Sequence, residues 1–134
     1  MPVSPRRRNS MKRILFVILA VLLVLSIFAT GCRGYRHSLA PIHDVEIWAD
    51  NSSLPQYFAD VVSGEPNSCV KFDSYTVTST GNTIRVEILN TEYLGGSCAE
   101  IYSYVNHTIP LGSDLVSGAN YTVEVNDVTE TFVA

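Results

Sequence analysis

Residues 81–88 read GNTIRVEI, a turn pair followed by apolar Ile84, Val86 and Ile88 in alternation with polar Thr83, Arg85 and Glu87. A period of two puts every second side chain on one face, the signature of a strand with one buried side. Upstream, Val70 to Ser79 is rich in Val, Tyr, Phe and Thr, and Gly81-Asn82 joins the two runs as a tight hairpin. Phe72 and Tyr75 are out of phase, which predicts a bulge near Asp73-Ser74. The same alternation recurs at Val45 and Ile47, and at Tyr121, Val123 and Val125. Asn126-Asp127 then separates Val125 from Val128 at the two-residue spacing of a hairpin turn.

Extended over the chain, this pattern predicts seven strands, at 43–49, 56–63, 70–79, 82–91, 100–109, 119–125 and 128–134. Leu54 to Val62 is also compatible with a helix. Many short strands with regular turn signals make an all-β protein, an antiparallel sandwich of two sheets in the broad immunoglobulin-like class. The expected core is Val45, Ile47, Phe72, Val77, Ile84, Val86, Ile88, Ile101, Val105, Ile109, Tyr121, Val123, Val125 and Phe132, each on the apolar phase of its strand. Trp48 precedes both Cys69 and Cys98, so the antibody arrangement of a Trp between two cysteines is missing.

The charge is divided. Residues 1–31 hold five bases (Arg6, Arg7, Arg8, Lys12 and Arg13) and no acid, whereas residues 32–134 hold four bases and all 13 acids, a net charge of −9. So acidic a body lacks the basic face that nucleic acid requires. Ile14 to Ala29 is an apolar run of 16 positions broken only by Ser26, and small residues follow it. Basic, apolar and small regions in that order form an export signal, with the body on the far side of the membrane. The run is somewhat short for a bilayer span, which needs about 20 apolar residues. An uncleaved anchor helix or ordinary secretion is the competing reading. Met11-Lys12-Arg13 is by itself a sufficient start for such a signal.

Ala29-Thr30-Gly31-Cys32 resembles the lipobox of bacterial lipoprotein signal peptides, with Ala29 where Leu is usual. The resemblance implies diacylglycerol on the Cys32 thiol, cleavage before Cys32, and acylation of the new amine by a fatty acid such as palmitate. The chain then divides into a signal peptide (1–31), a lipid-anchored polar tether (32–41) and a sandwich domain (42–134). With Cys32 lipidated, Cys69 and Cys98 remain as an even pair in an exported domain, and a single disulfide follows. A shared metal is the other use of two cysteines, but no CxxC or HxxxH spacing supports it.

Residues 56–134 also resemble a group of small bacterial surface lipoproteins with no assigned activity. The shared order runs Pro66-Asn67-Ser68-Cys69, Gly81-Asn82, Ser97-Cys98-Ala99, Ile109-Pro110-Leu111-Gly112, Tyr121-Thr122-Val123-Glu124-Val125-Asn126 and Thr131-Phe132-Val133. Asp127 stands where that group usually has Gly, and Gly118-Ala119-Asn120-Tyr121 carries one extra residue. The resemblance implies a fold and no chemistry.

A search for chemistry is mostly empty. The histidines are scattered: His37 in the tether, His43 at the first strand, His107 between Asn106 and Thr108. No GxSxG, HExxH or SxxK occurs. Glu87 and Glu124 fall on outward phases, as solvated acids do. Asp44, Glu46, Asp50, Asp114 and Asp127 are strand-end or loop acids that could offer oxygen ligands to calcium, without a DxDxDG run. Trp48, Tyr93, Tyr102 and Tyr104 lie off the apolar phase. Tyr102 and Tyr104 form either a platform for a sugar or partner, or an ordinary cross-strand pair, and the second is the commoner case. The sequons at Asn51, Asn106 and Asn120 read as chance in Ser/Thr/Asn-rich strand sequence. The expectation is a non-enzymatic protein without cofactor, anchored to the outer face of a bacterial membrane, that binds a protein or glycan partner or scaffolds the envelope. A solute- or calcium-binding lipoprotein is the alternative, and an envelope hydrolase a more distant one. A deep polar cavity lined by His107, Glu100 or Asp60 would favour either of these.

Overall fold

The computed structural model describes residues 13–19, a helix, and residues 34–134. Residues 1–33 and 34–134 form separate units, and Cys32 and most of the expected signal segment lie outside the described residues. Among the described residues no helix is long and apolar enough to cross a membrane.

Residues 34–134 form eight strands: β1 (Tyr35–Leu39), β2 (Ile42–Ala49), β3 (Tyr57–Glu65), β4 (Val70–Thr80), β5 (Thr83–Tyr93), β6 (Ser103–Gly112), β7 (Asn120–Val125) and β8 (Val128–Val133). One sheet contains β2-β3-β6. In the other, β5 is central: β4 pairs along one edge, β1 and β7 share the other edge, and β8 pairs with β7. The result is a β-sandwich, mostly antiparallel and consistent with the immunoglobulin-like class. Its interior is filled from both sheets, by Ile84, Val86, Ile88, Val123 and Val125 on one side and Ala59, Val61 and Ile109 on the other. Burying these aliphatic faces against each other is the main stabilising term.

Several local expectations agree with the structure. Gly81 turns with φ 59° in the β4–β5 hairpin, and Asn126 turns with φ 50° in the β7–β8 hairpin. The register of β4 against β5 shifts between Phe72 and Ser74, where the sequence loses phase. The stretch compatible with a helix, Leu54 to Val62, instead runs into β3.

Other expectations are corrected. There are eight strands, not seven, because Tyr35–Leu39, expected within the tether, pairs with Leu89–Tyr93 as β1. The sandwich is not wholly antiparallel: β5 and β7 run parallel, with Thr83 opposite Thr122 and Val86 opposite Val125. Ile101 is not in the core but 64% exposed. It precedes β6, which starts at Ser103 and runs on to Gly112, so the face it shares in phase with Val105 and Ile109 does not extend to it. Val45, Ile47, Phe72, Val77 and Phe132 pack on the core half-buried.

The shared edge of β5 leaves a seam between the end of β1 and the end of β7, and Asn126 fills it. Its Oδ1 accepts from the Ile88 N–H at 2.9 Å. Its Nδ2 donates to the Ala40 carbonyl at 2.7 Å and the Ile88 carbonyl at 3.0 Å. Its own N–H donates to the Val86 carbonyl at 3.0 Å, and the Ala40 N–H donates to the Ile88 carbonyl at 2.9 Å. Backbone groups left inside a sandwich without partners cost about 1–3 kcal/mol each. Asn126→Gly keeps the positive φ and loses the three side-chain bonds, so it should cost about 2–3 kcal/mol in urea unfolding. Asn126→Ala adds left-handed strain and should cost about 1 kcal/mol more. Equal stability of wild type and both variants would show that the seam is not held by this side chain.

Candidate functional site

Register decides what shares the outer face of β2-β3-β6. Ile47 opposes Ala59, and Val45 opposes Val61, and these four face the core. Their neighbours therefore face out in cross-strand rows. Trp48, Phe58 and Pro110 form one row, and Glu46, Asp60 and Thr108 the next. Asp44, Val62 and Asn106 form a third, and Gly64 with Tyr104 a fourth. The middle of the face is a depression of about 300 Å³, open and not deep, lined by Asp44, Glu46, Asp60, Asn106, His107 and Thr108 among others.

Aromatic rings stand at both ends. Trp48 stacks on Phe58 with ring centroids 4.5 Å apart, and its indole N–H donates to Asp60 Oδ2 at 2.9 Å. Thr108 Oγ1 donates to Asp60 Oδ1 at 2.7 Å. Asp60, on the central strand, is therefore aimed from both neighbouring strands. At the other end a bulge between Ile42 and Asp44 gives the extra residue, His43, access to the outer face. Its Nε2 is 2.5 Å from the Tyr102 hydroxyl, and its ring meets Tyr104 edge-on at 5.0 Å. Tyr102 lies over Gly64, where any Cβ would overlap the phenol. Burial, with a smaller effect of Tyr104, raises the Tyr102 pKa. Tyr104 remains 66% exposed and Trp48 39% exposed, so these rings are available to a partner.

The loop ahead of Tyr102 is fastened to the β3–β4 turn. Cys69 and Cys98 form a disulfide with Cα atoms 5.4 Å apart. Beside it the Ser68 N–H donates to the Ala99 carbonyl at 3.0 Å, and the Ala99 N–H donates to Ser68 Oγ at 2.8 Å.

The inner side of the same sheet carries polar groups that the sequence did not reveal as partners. Ser63 Oγ and His107 Nε2 are 2.8 Å apart, the distance of a nucleophile and its base. Ser63 is fully buried, however, and Phe72 lies against the His107 ring at 4.6 Å. The pair is an interior contact with the hydroxyl fully buried and the ring half-buried, and burial lowers the His107 pKa. Glu65 is buried at the end of β3. It accepts from Lys71 Nζ at 2.6 Å and from the Phe72 N–H at 3.0 Å. Burial acts to raise its pKa, but those two hydrogen bonds and the Lys71 charge outweigh it and leave the pKa lowered. Asn90, also buried, donates to the Gly64 carbonyl across the sandwich at 2.9 Å.

The remaining candidates are dispersed. His37 lies 3.4 Å from Asp73 on the five-stranded sheet. Glu124 binds Arg85 at 2.7 Å, and Glu87 and Glu100 are exposed. Asp50 folds its own loop: hydrogen bonds from the Gln56 N–H and then the Ser52 hydroxyl lower its pKa. Asp114 and Asp127 sit in separate exposed turns. Among the described residues no three His, Cys, Asp or Glu side chains converge as metal ligands. Tyr93 packs on Tyr35, on the other sheet. The sequon asparagines Asn51, Asn106 and Asn120 are all exposed. Sequence reasoning missed Phe58 and Gly64 and did not join His43 to Tyr102, since only register and a bulge bring them together.

Two outcomes follow. His107 and Glu65 both have folded-state pKa values below their ordinary 6.5 and 4.5. The unfolded chain then binds more protons, so their stabilisation is complete above those values and is lost as pH falls below them. The urea midpoint should drop first below pH 6.5 and again below pH 4.5. His107→Gln should remove the first step and keep the second; an unchanged first step would assign it elsewhere. Replacing Cys69 and Cys98 with Ala should cost about 3–4 kcal/mol in the same assay, and a loss under about 1 kcal/mol would mean that the loop is held without the bond.

Comparison with curated proteins and with solved structures gave no match. A family model described as the ORF11 beta-sandwich domain matches residues 61–134. That span begins within β3 and includes the disulfide, Tyr102, Tyr104 and Asn126, while β1 and β2 lie before it. The chain belongs to the ORF11 beta-sandwich domain family.

Proposed function

We propose that this protein is an exported binding module, held on the outer face of a bacterial membrane by lipid on Cys32. It engages its partner through the outer face of β2-β3-β6. The observation that carries this reading is the face itself: exposed Trp48 and Tyr104 at opposite ends of a depression whose central Asp60 is held in place from both neighbouring strands. Aromatic residues with ordered polar neighbours are what protein surfaces use as binding anchors. The interior is filled with aliphatic side chains, and the Ser63 hydroxyl that meets His107 is fully buried among them. These features support a non-enzymatic role without a cofactor. The anchor rests on the order of bases, apolar run, small residues and Cys32 in the sequence.

Cys32→Ala should abolish fatty-acid labelling and leave an unprocessed precursor, and labelling that persists would refute the anchor. A photocrosslinking side chain at position 104 should give adducts in native membranes, whereas one at Thr131, exposed on β8, should not. Adducts at equal yield from both positions would refute the binding face.

A further inference from the structure

The distribution of charge on this face identifies the chemistry of its occupant. Glu46 and Asp60 are directly opposite in register, and Asp44 lies one row away on the same side. Like charges facing each other across a strand pair are destabilising. Elsewhere in residues 34–134 three carboxylates are answered by Arg or Lys. Arg36 binds Glu92, Lys71 binds Glu65 and Arg85 binds Glu124. These are the only Lys and Arg residues in that span, and all three belong to strands of the five-stranded sheet. The outer face of β2-β3-β6 carries three carboxylates and no Lys or Arg. Trp48 and Thr108 orient Asp60 through one hydrogen bond to each oxygen, leaving each oxygen further acceptor capacity.

We infer that this face binds an extended basic segment of another polypeptide, with an Arg or Lys between Glu46 and Asp60 and flanking residues on the rings at either end. This rests on the reading above that the face is the binding surface, and it names the partner's chemistry. Three features converge on it. A guanidinium supplies the charge that the Glu46–Asp60 pair lacks, and binds carboxylates through a planar fork of donors. Trp and Tyr faces attract the same cation. The rows from Phe58 to Gly64 span about 20 Å, the length of about six extended residues. The acidic body steers such a partner inward and repels anionic ones. A neutral glycan could stack on the rings but would leave the facing carboxylates uncompensated.

Trp48 is the only Trp of the chain and lies in the site, so its fluorescence reports occupancy directly. The probe is a peptide of about eight residues alternating Arg and Ser, titrated into the full chain in detergent micelles. The control peptide has citrulline, uncharged and of the same shape, in place of Arg. The Arg peptide should give a saturable change that weakens with salt, and the citrulline peptide none. Glu46→Gln with Asp60→Asn should weaken binding by about tenfold or more. The matched pair Asp127→Asn and Glu130→Gln, with the same change in net charge elsewhere, should leave it within about twofold. Glu46→Gln alone should raise the melting temperature of the free protein, because it removes the like-charge pair, while weakening the peptide. Both variants losing affinity equally would reduce the effect to net charge and overturn the inference. So would saturation by a neutral oligosaccharide such as cellohexaose with no response to the Arg peptide. In that second case adducts from position 104 would persist, leaving the binding face in place without its basic partner.

Discussion

The side chain of Asn126 is the joint on which the five-stranded sheet depends. The central strand β5 has one edge for two partners that come from opposite directions. β1 runs antiparallel along its later half and β7 runs parallel along its earlier half. Neither pairs with Ile88: the Ala40 N–H just past β1 meets its carbonyl, but its N–H would face an interior gap. The amide of Asn126 offers one acceptor and two donors in the place of a missing residue, and its positive φ starts the turn into β8. One residue thus ends a strand, opens a hairpin and closes a seam. Ala40, held by the same amide, lies at the crossing from β1 in one sheet to β2 in the other.

Much of this architecture was legible in the sequence because alternation reports directly which face of a strand is buried. Ile84, Val86, Ile88, Val123 and Val125 could be assigned to the core from period alone, and the loss of phase after Phe72 located a real bulge. Alternation says nothing of partners, which is why the parallel pairing of β5 and β7 was invisible. It also fails for strands with no buried face. Tyr35–Leu39 is exposed along its whole length, so its sequence has no periodic signal to offer. Ile101 fails for the converse reason: its phase is right, but the segment fastened by Cys98 and Ala99 is not strand there.

The candidate face was legible residue by residue and not as a site. Trp48, Tyr102 and Tyr104 stood out as aromatic residues off the buried phase, and Glu46 as an outward acid. Only the register of three strands far apart in sequence puts Glu46 beside Asp60 and Thr108. Gly64 reads in sequence as the start of a loop, yet it lies within β3 and is the space into which Tyr102 packs. The division of charge between the two sheets is equally hidden in a net value, since it depends on where Arg36, Lys71 and Arg85 find their partners.

The seam has a consequence for the order in which the protein can form. Asn126 and Ala40 are 86 residues apart, and nearly everything else in the domain lies between them. A chain emerging from a ribosome or a translocation pore can assemble the β4–β5 hairpin as soon as it appears, because that pairing is local. The other edge of β5 stays half open until β7 arrives, and an open edge is a template for pairing with a neighbouring chain. Contacts so distant in sequence make folding slow. The acidic residues that crowd this body are already at work in the unfolded chain, keeping unfinished molecules apart by mutual repulsion while the last strands come into place.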